Sequence, residues 1–398
     1  MVAEENPWTS RLGLLVMTHV AGTISIVSVL AMAPVITRDL SLSAAEFGFF
    51  VTTYYGAQAA FSIPAGGLVD RVGVGKALVI CHAIMVAGAL LFAHAGSFEA
   101  ALAALAVMGM GYSISNPATA RGVFEWFPPE RRATAMGIKQ VGVPLGGMLG
   151  AANGALVTLV AWGPIMAGVA VLVFINGVLC LRLARLPASG TRQDGQHPLA
   201  NIREVMKDRN INRLVIINGF YNFGQTNFFA FLTLFLREVA QASQPMASLA
   251  IGIAQAASAV ARISWGVVSD TVFGGRRKGL TVGLGAAGVV GLAAMVLVGP
   301  GNGVFLGLGL AMVLGLTIAS FAPLIQTLSV ESTEPRLAGS SLGYNIFGTH
   351  IGGMIGPPIF GAIVDASGTY EAGWLMTAAV LGAGVLILAF GFKERGRS

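Results

Sequence analysis

Apolar residues in this chain gather into twelve long runs, near 12–36, 47–69, 77–95, 100–125, 134–160, 163–184, 213–236, 247–269, 280–298, 303–330, 339–364 and 372–392. Each comes close to or exceeds the roughly 20 residues that carry a helix across a bilayer. None alternates with the period of two that a barrel strand requires. Several contain Gly and Pro, which membrane helices tolerate better than soluble ones. The runs, called spans 1 to 12 below, predict an all-α membrane protein of twelve transmembrane helices. One long polar interval, 185–212, divides them into two six-helix bundles, 1–184 and 213–398. Residues 199–209 of that interval predict a short surface helix.

Composition agrees with the pattern. Hydrophobic residues make up 55% of the chain and charged residues 11%, against about 25% charged in soluble domains, and the mean hydropathy is +0.75. A large soluble enzyme is excluded on these grounds. With the N-terminus inside, nineteen of the 24 Lys and Arg fall on the cytoplasmic side, two (Arg38 and Arg237) fall outside, and Arg121, Lys139 and Arg262 are left within spans. That split predicts cytoplasmic termini in a bacterial-type inner membrane. The start, MVAEENPWTSR, has no basic segment or small-residue cleavage site, so no removed signal peptide is expected. Cys81 and Cys180 read as small buried hydrophobes. Metal-ligand spacing, nucleotide-binding loops and nucleic-acid motifs are not found, so no cofactor, metal or nucleic acid is expected and energy must come from an ion or substrate gradient.

The halves repeat. Asp70 and Asp270 lie 200 residues apart, each ending a Gly-rich exit turn: Gly66-Gly-Leu-Val-Asp70-Arg71-Val-Gly73-Val-Gly75-Lys76, and Gly266-Val-Val-Ser-Asp270 followed by Gly274-Gly-Arg276-Arg277-Lys278. A second offset, 206, pairs Pro117 with Pro323, Pro129 with Pro335, Gly137 with Gly343, Gly142 with Gly348, and Gly146-Gly147 with Gly352-Gly353. Parallel six-helix repeats imply a substrate site where the two bundles meet. Over essentially its whole length the chain resembles a major facilitator superfamily transporter, and its first exit turn resembles that family's signature loop, with Gly75 where the family often has Arg. The resemblance implies gating by Asp70, Arg71 and Asp270. Asp70 would dock on the start of span 11 near Gly339–Ser341, and Asp270 on the start of span 5 near Ala133–Ala135, where unpaired N–H groups and the helix dipole favour a carboxylate. Glu125 is expected to pair with Arg71 or Arg131. The glycines of spans 5 and 11 partly resemble an antiporter motif but are off its spacing, and read as packing glycines.

The polar groups inside the spans are asymmetric in sign. Carboxylates stay near span ends, whereas His19, His82, Arg121, Lys139, Arg262 and His350 lie inside. A charge at that depth marks function by default. Arg262 sits eight residues before Asp270, about 12 Å at 1.5 Å per residue. That placement resembles the substrate arginine of monocarboxylate transporters and oxalate–formate antiporters, and a guanidinium suits a carboxylate because it donates two parallel hydrogen bonds. The antiporters' second cation, a lysine on span 11, is replaced here by His350. One fixed charge with a titratable imidazole suits a monoanion moving with a proton. Lys139, Arg121 and His19 are further candidate substrate contacts, although Lys139 also stands where it can snorkel to the surface. Tyr55, Tyr221, Asn222 and Gln225 complete the candidate pocket; Asn218, Tyr221, Asn222 and Gln225 share one helical face.

The expectation is therefore a secondary transporter, not an enzyme. It would move a small organic anion, a monocarboxylate, by alternating access with a proton, as a monomer in the lipid bilayer. A multidrug or metabolite exporter of the same superfamily, with an apolar cavity, is the alternative. A receptor or lipid scramblase on the same fold is a third.

Overall fold

A computed structural model of the protein describes residues 7–185, 198–301, 303–334 and 337–394. Residues 1–6, linker residues 186–197, Pro335, Arg336 and the basic C-terminal end lie outside the described residues. All regular structure among the described residues is helical. The chain divides into two compact units. Unit 1 holds Met1–Ser41 and Thr53–Gly190; unit 2 holds Leu42–Thr52 and Thr191–Ser398. The division falls within the predicted linker. It also falls inside the helix Ala44–Val72, whose first turns belong to unit 2 and whose remainder belongs to unit 1.

Each predicted span is helical, but not all are continuous. Among the described residues, eight helices have the length and hydropathy of a membrane span, and they correspond to spans 1, 3, 4, 6, 8, 9, 11 and 12. Span 5 is split into Pro129–Gln140 and Gly142–Leu156, and span 10 into Gly303–Leu316 and Ala322–Glu331. Spans 2 (Ala44–Val72) and 7 (Arg209–Glu238) are long enough, but polar residues dilute their hydropathy. Span 4 also changes helix segment, at Ile114 between Phe98–Ser113 and Ser115–Trp126. Hydropathy averages across such breaks, so a continuous apolar run was read as a continuous helix.

The breaks have a common cause. Proline lacks the N–H that an α-helix would direct to the carbonyl four residues back, and its ring crowds that carbonyl. Pro323 opens the second segment of span 10, so the carbonyl of Ala319 loses its helical donor. Pro117 stands in the equivalent place in span 4.

Within each unit the repeated glycines bring helices together. A side chain at Gly142 or Gly146 would meet the carbonyls of Val16 and Val20 on span 1; in unit 2, Gly348 and Gly352 of span 11 lie on Val215 and Gly219 of span 7 in the same way. In a bilayer, where lipid competes for apolar surface, close backbone approach of this kind is a main source of helix association. The expected packing glycines are thus placed as read. The exit turns carry the backbone reversals: Gly73 has φ 81° and Gly275 φ 80°, a region that side chains other than Gly adopt at a cost. The short helix expected within the linker at 199–209 is found at Pro198–Val205.

Candidate functional site

In unit 2 the proline break builds the site. Three side chains converge on the orphaned carbonyl of Ala319. Ser258 Oγ donates to it at 2.8 Å, Arg262 Nη2 at 3.1 Å and Gln225 Nε2 at 3.2 Å. Arg262 Nε also donates to Ser258 Oγ at 3.2 Å. Trp265 Nε1, one helical turn on from Arg262, donates to the Leu316 carbonyl at 2.7 Å on the other side of the break. A carbonyl oxygen has two lone pairs, so Ala319 carries one donor more than it needs. Arg262 is half-buried, Ser258 fully buried. Its guanidinium can leave this carbonyl without orphaning it.

The rest of the span 7 face is engaged elsewhere. Asn218 donates to the Asn345 side chain at 2.7 Å and to Thr349 Oγ1 at 2.6 Å, and Asn222 donates to the Thr349 carbonyl at 2.7 Å, all on span 11. The Tyr221 hydroxyl donates to the Thr281 carbonyl on span 9 at 2.9 Å, and the residue is fully buried. Tyr221 and Asn222 thus tie span 7 to spans 9 and 11 in this structure. Of the four face residues only Gln225 reaches the Arg262 cluster. His350 lies on span 11, buried at 9% exposure.

In unit 1 a second cluster forms around Thr119. Lys139 Nζ donates to Thr119 Oγ1 at 3.0 Å, and His19 Nε2 lies 3.1 Å from the same oxygen. Thr119 donates its own proton to the Ser115 carbonyl at 2.7 Å. With that proton committed, its oxygen accepts from Lys139, and from His19 in the tautomer that carries the proton on Nε2. His19 Nδ1 meets the Tyr112 hydroxyl at 3.3 Å. Lys139 is 1% exposed, so it does not snorkel. Thr119 is its one hydrogen-bond partner among the described residues, and a buried ammonium in that setting is unfavourable unless an anion joins it. Tyr55 is half-buried and packs edge-on against Tyr54 at 5.7 Å. His82 is a packing residue: it donates from Nδ1 to the Leu78 carbonyl at 2.6 Å and accepts from Asn176 at 2.7 Å.

Arg121 is held by two carboxylates. Its Nη1 donates to Asp70 Oδ1 at 2.8 Å and its Nε to Glu125 Oε1 at 2.6 Å. Glu125 thus pairs with Arg121 where Arg71 or Arg131 was expected, and the cluster joins a span residue to an exit-turn aspartate. Arg71 is exposed. Unit 2 repeats the arrangement with a different arginine. Arg277 donates to Asp270 at 3.1 Å, to Glu331 at 3.0 Å and to the Gly275 carbonyl at 2.7 Å. Glu125 and Glu331 are themselves 206 residues apart.

Sequence reasoning missed Thr119, Tyr112, Ser258 and the Ala319 carbonyl. The Pro117/Pro323 pair was the available signal, because a proline in an apolar run announces a vacant carbonyl four residues earlier.

The fold and these clusters define a polytopic helical membrane protein built from two repeated units, with cationic side chains buried in both. Comparison with known proteins gives the family. The Major Facilitator Superfamily sequence model matches residues 14–272 and 214–398. The chain belongs to the Major Facilitator Superfamily, and it is a transporter. A probable sulfoacetate transporter of Cupriavidus necator is 23% identical over 401 aligned positions, covering 95% of this chain and 92% of that one. The hexuronate transporter of Bacillus subtilis is 29% identical over 156 residues, 38% of this chain and 36% of that one. In fold, the chain is similar to a bacterial homolog of the human lysosomal transporter Spinster, in its inward-facing and occupied conformation, with a TM-score of 0.76 at 17% identity over 97% of each chain.

Proposed function

We propose that this transporter moves a small organic anion bearing a carboxylate, by alternating access and together with a proton, and that Arg262 binds the carboxylate. The observation that carries the reading is the oversupplied Ala319 carbonyl. Ser258 and Gln225 satisfy it, so Arg262 can exchange its bond there for a bidentate grip on an anion. The substrates named for the two relatives, sulfoacetate and hexuronate, are both carboxylates. His350 is assigned the coupling proton, as a buried imidazole in the same unit as Arg262. The transporter works as a monomer in a bacterial-type inner membrane, with both termini cytoplasmic and two six-helix bundles, 1–184 and 213–398, joined by a cytoplasmic linker.

Thermal unfolding of the detergent-purified protein against a panel of small carboxylates tests this, with Arg262→Ala alongside. A ligand that binds the folded state raises its apparent stability by mass action, by about 2.7 kcal/mol at a hundredfold excess over Kd. Stabilisation by one carboxylate class that vanishes in Arg262→Ala is the expected result. Stabilisation only by cationic or neutral amphiphiles, unchanged in the variant, contradicts the proposal and favours an exporter.

A further inference from the structure

The start of the helix Ala44–Val72 accounts for all four of its N–H groups in two different ways. A helix leaves its first four N–H groups without internal partners. Two are satisfied from within: Ser43 N donates to Glu46 Oε2 at 2.8 Å, and Glu46 N donates to Ser43 Oγ at 3.2 Å, a reciprocal capping box. The other two are satisfied from the far end of span 11. Ala44 N donates to Asp365 Oδ1 and Ala45 N to Asp365 Oδ2, each at 2.9 Å. One carboxylate thus forks across two successive amides at the positive end of a 29-residue helix.

The two segments, both in unit 2, are fitted to each other below the fork. A Cβ at Gly361 would collide with the Ala44 carbonyl, and a Cβ at Gly48 would meet the Pro357 carbonyl and Pro358. Thr52 Oγ1 donates to the Met354 carbonyl at 2.6 Å, and Phe47 meets Phe231 of span 7 edge-on at 6.1 Å. From residue 53 onward the same helix belongs to unit 1.

We infer that Asp365 is a detachable cap, a latch that holds the first turns of span 2 against span 11 in this state and lets go when the helix moves in the transport cycle. The division of labour supports this. The capping box travels with the helix and keeps half of its amides paired after release. Asp365 supplies only the half that can be handed to water, since both partners lie at the surface. This is the chemistry expected of Asp70 and Asp270 at the other end of the spans, carried out by a different aspartate. It rests on the chain being a transporter, not on which anion it carries.

The test uses the full-length protein in lipid nanodiscs with Cys81→Ala and Cys180→Ala. Spin labels go on Phe49→Cys and Ala366→Cys, both exposed positions. The distance between them is read by pulsed electron paramagnetic resonance. Asp365→Ala and the milder Asp365→Asn are expected to raise the long-distance fraction at least about five-fold, and Asp365→Glu to restore much of the short one. Ser43→Ala and Glu46→Ala, which remove only the helix's own cap, are expected to leave the distribution unchanged. An unchanged distribution in Asp365→Asn overturns the latch. So does an equal shift in the Ser43 and Glu46 variants, which would make the effect simple fraying of the helix start. Since no substrate is added, the result is independent of the anion reading.

Discussion

Units 1 and 2 hold their buried cations in opposite ways. Lys139 of unit 1 is 1% exposed and rests on one hydroxyl that is shared with His19. Arg262 of unit 2 is half-buried and rests on a carbonyl that a proline has vacated and two other donors already fill. The first cation is poorly satisfied and enclosed; the second is well satisfied and replaceable. A cation whose protein partner can do without it is the better placed to take and release a substrate many times. The same contrast runs through the exit-turn clusters. Both units bracket an arginine between an exit-turn Asp and a Glu at the end of span 4 or 10. Unit 1 takes the arginine from the span itself (Arg121), and unit 2 takes it from the turn (Arg277). The repeat preserves the carboxylates and not the cation that joins them.

The largest effect should separate the two buried cations. Arg262→Ala is expected to lower substrate exchange about a hundredfold, the loss of two charge-assisted hydrogen bonds worth about 3 kcal/mol together. Its thermal stability should stay within about 1 kcal/mol of the parent, because Ser258 and Gln225 still occupy Ala319. A large stability loss would make Arg262 a structural residue. Arg277→Ala comes next. Its side chain is 10% exposed and joins Asp270 to Glu331, so a loss of about 2 kcal/mol is expected in denaturant unfolding, tempered by the exposure of Asp270. Arg121→Ala should cost about as much as Arg277→Ala, because Asp70 is 68% exposed and returns to water but Glu125, 12% exposed, loses a partner at 2.6 Å. Lys139→Met sharpens the comparison by its sign. Replacing an enclosed ammonium with an apolar side chain of similar length should leave stability equal or raise it by about 1 kcal/mol, while transport falls. A clear loss of stability in thermal unfolding would make Lys139 a packing residue.

Much of this fold was legible in the chain. The runs, the polar interval and the glycine ladders are one-dimensional features, and Gly142/Gly146 and Gly348/Gly352 fell where close helix packing requires them. The depth of Arg262 was legible for the same reason, through its distance in residues from Asp270. The partners were not. Asn218, Tyr221, Asn222 and Gln225 share a helical face, yet they serve spans 11, 9 and 10, because a buried helix meets several neighbours around one face. One partner of Arg121, Glu125, stands a single helical turn away and was within reach of the sequence; the other, Asp70, lies 51 residues away and reaches it only through packing of spans 2 and 4. The breaks were hidden because hydropathy does not register a missing N–H, although Pro323 marked one of them.

The most direct measurement of the central claim is counterflow of sulfoacetate and of a hexuronate in proteoliposomes, comparing the parent protein with Arg262→Ala and Arg262→Lys. The account predicts exchange of a carboxylate by the parent, loss of about a hundredfold in Arg262→Ala, and partial recovery in Arg262→Lys, which keeps the charge but not the fork. Exchange that proceeds equally well without Arg262 would contradict it.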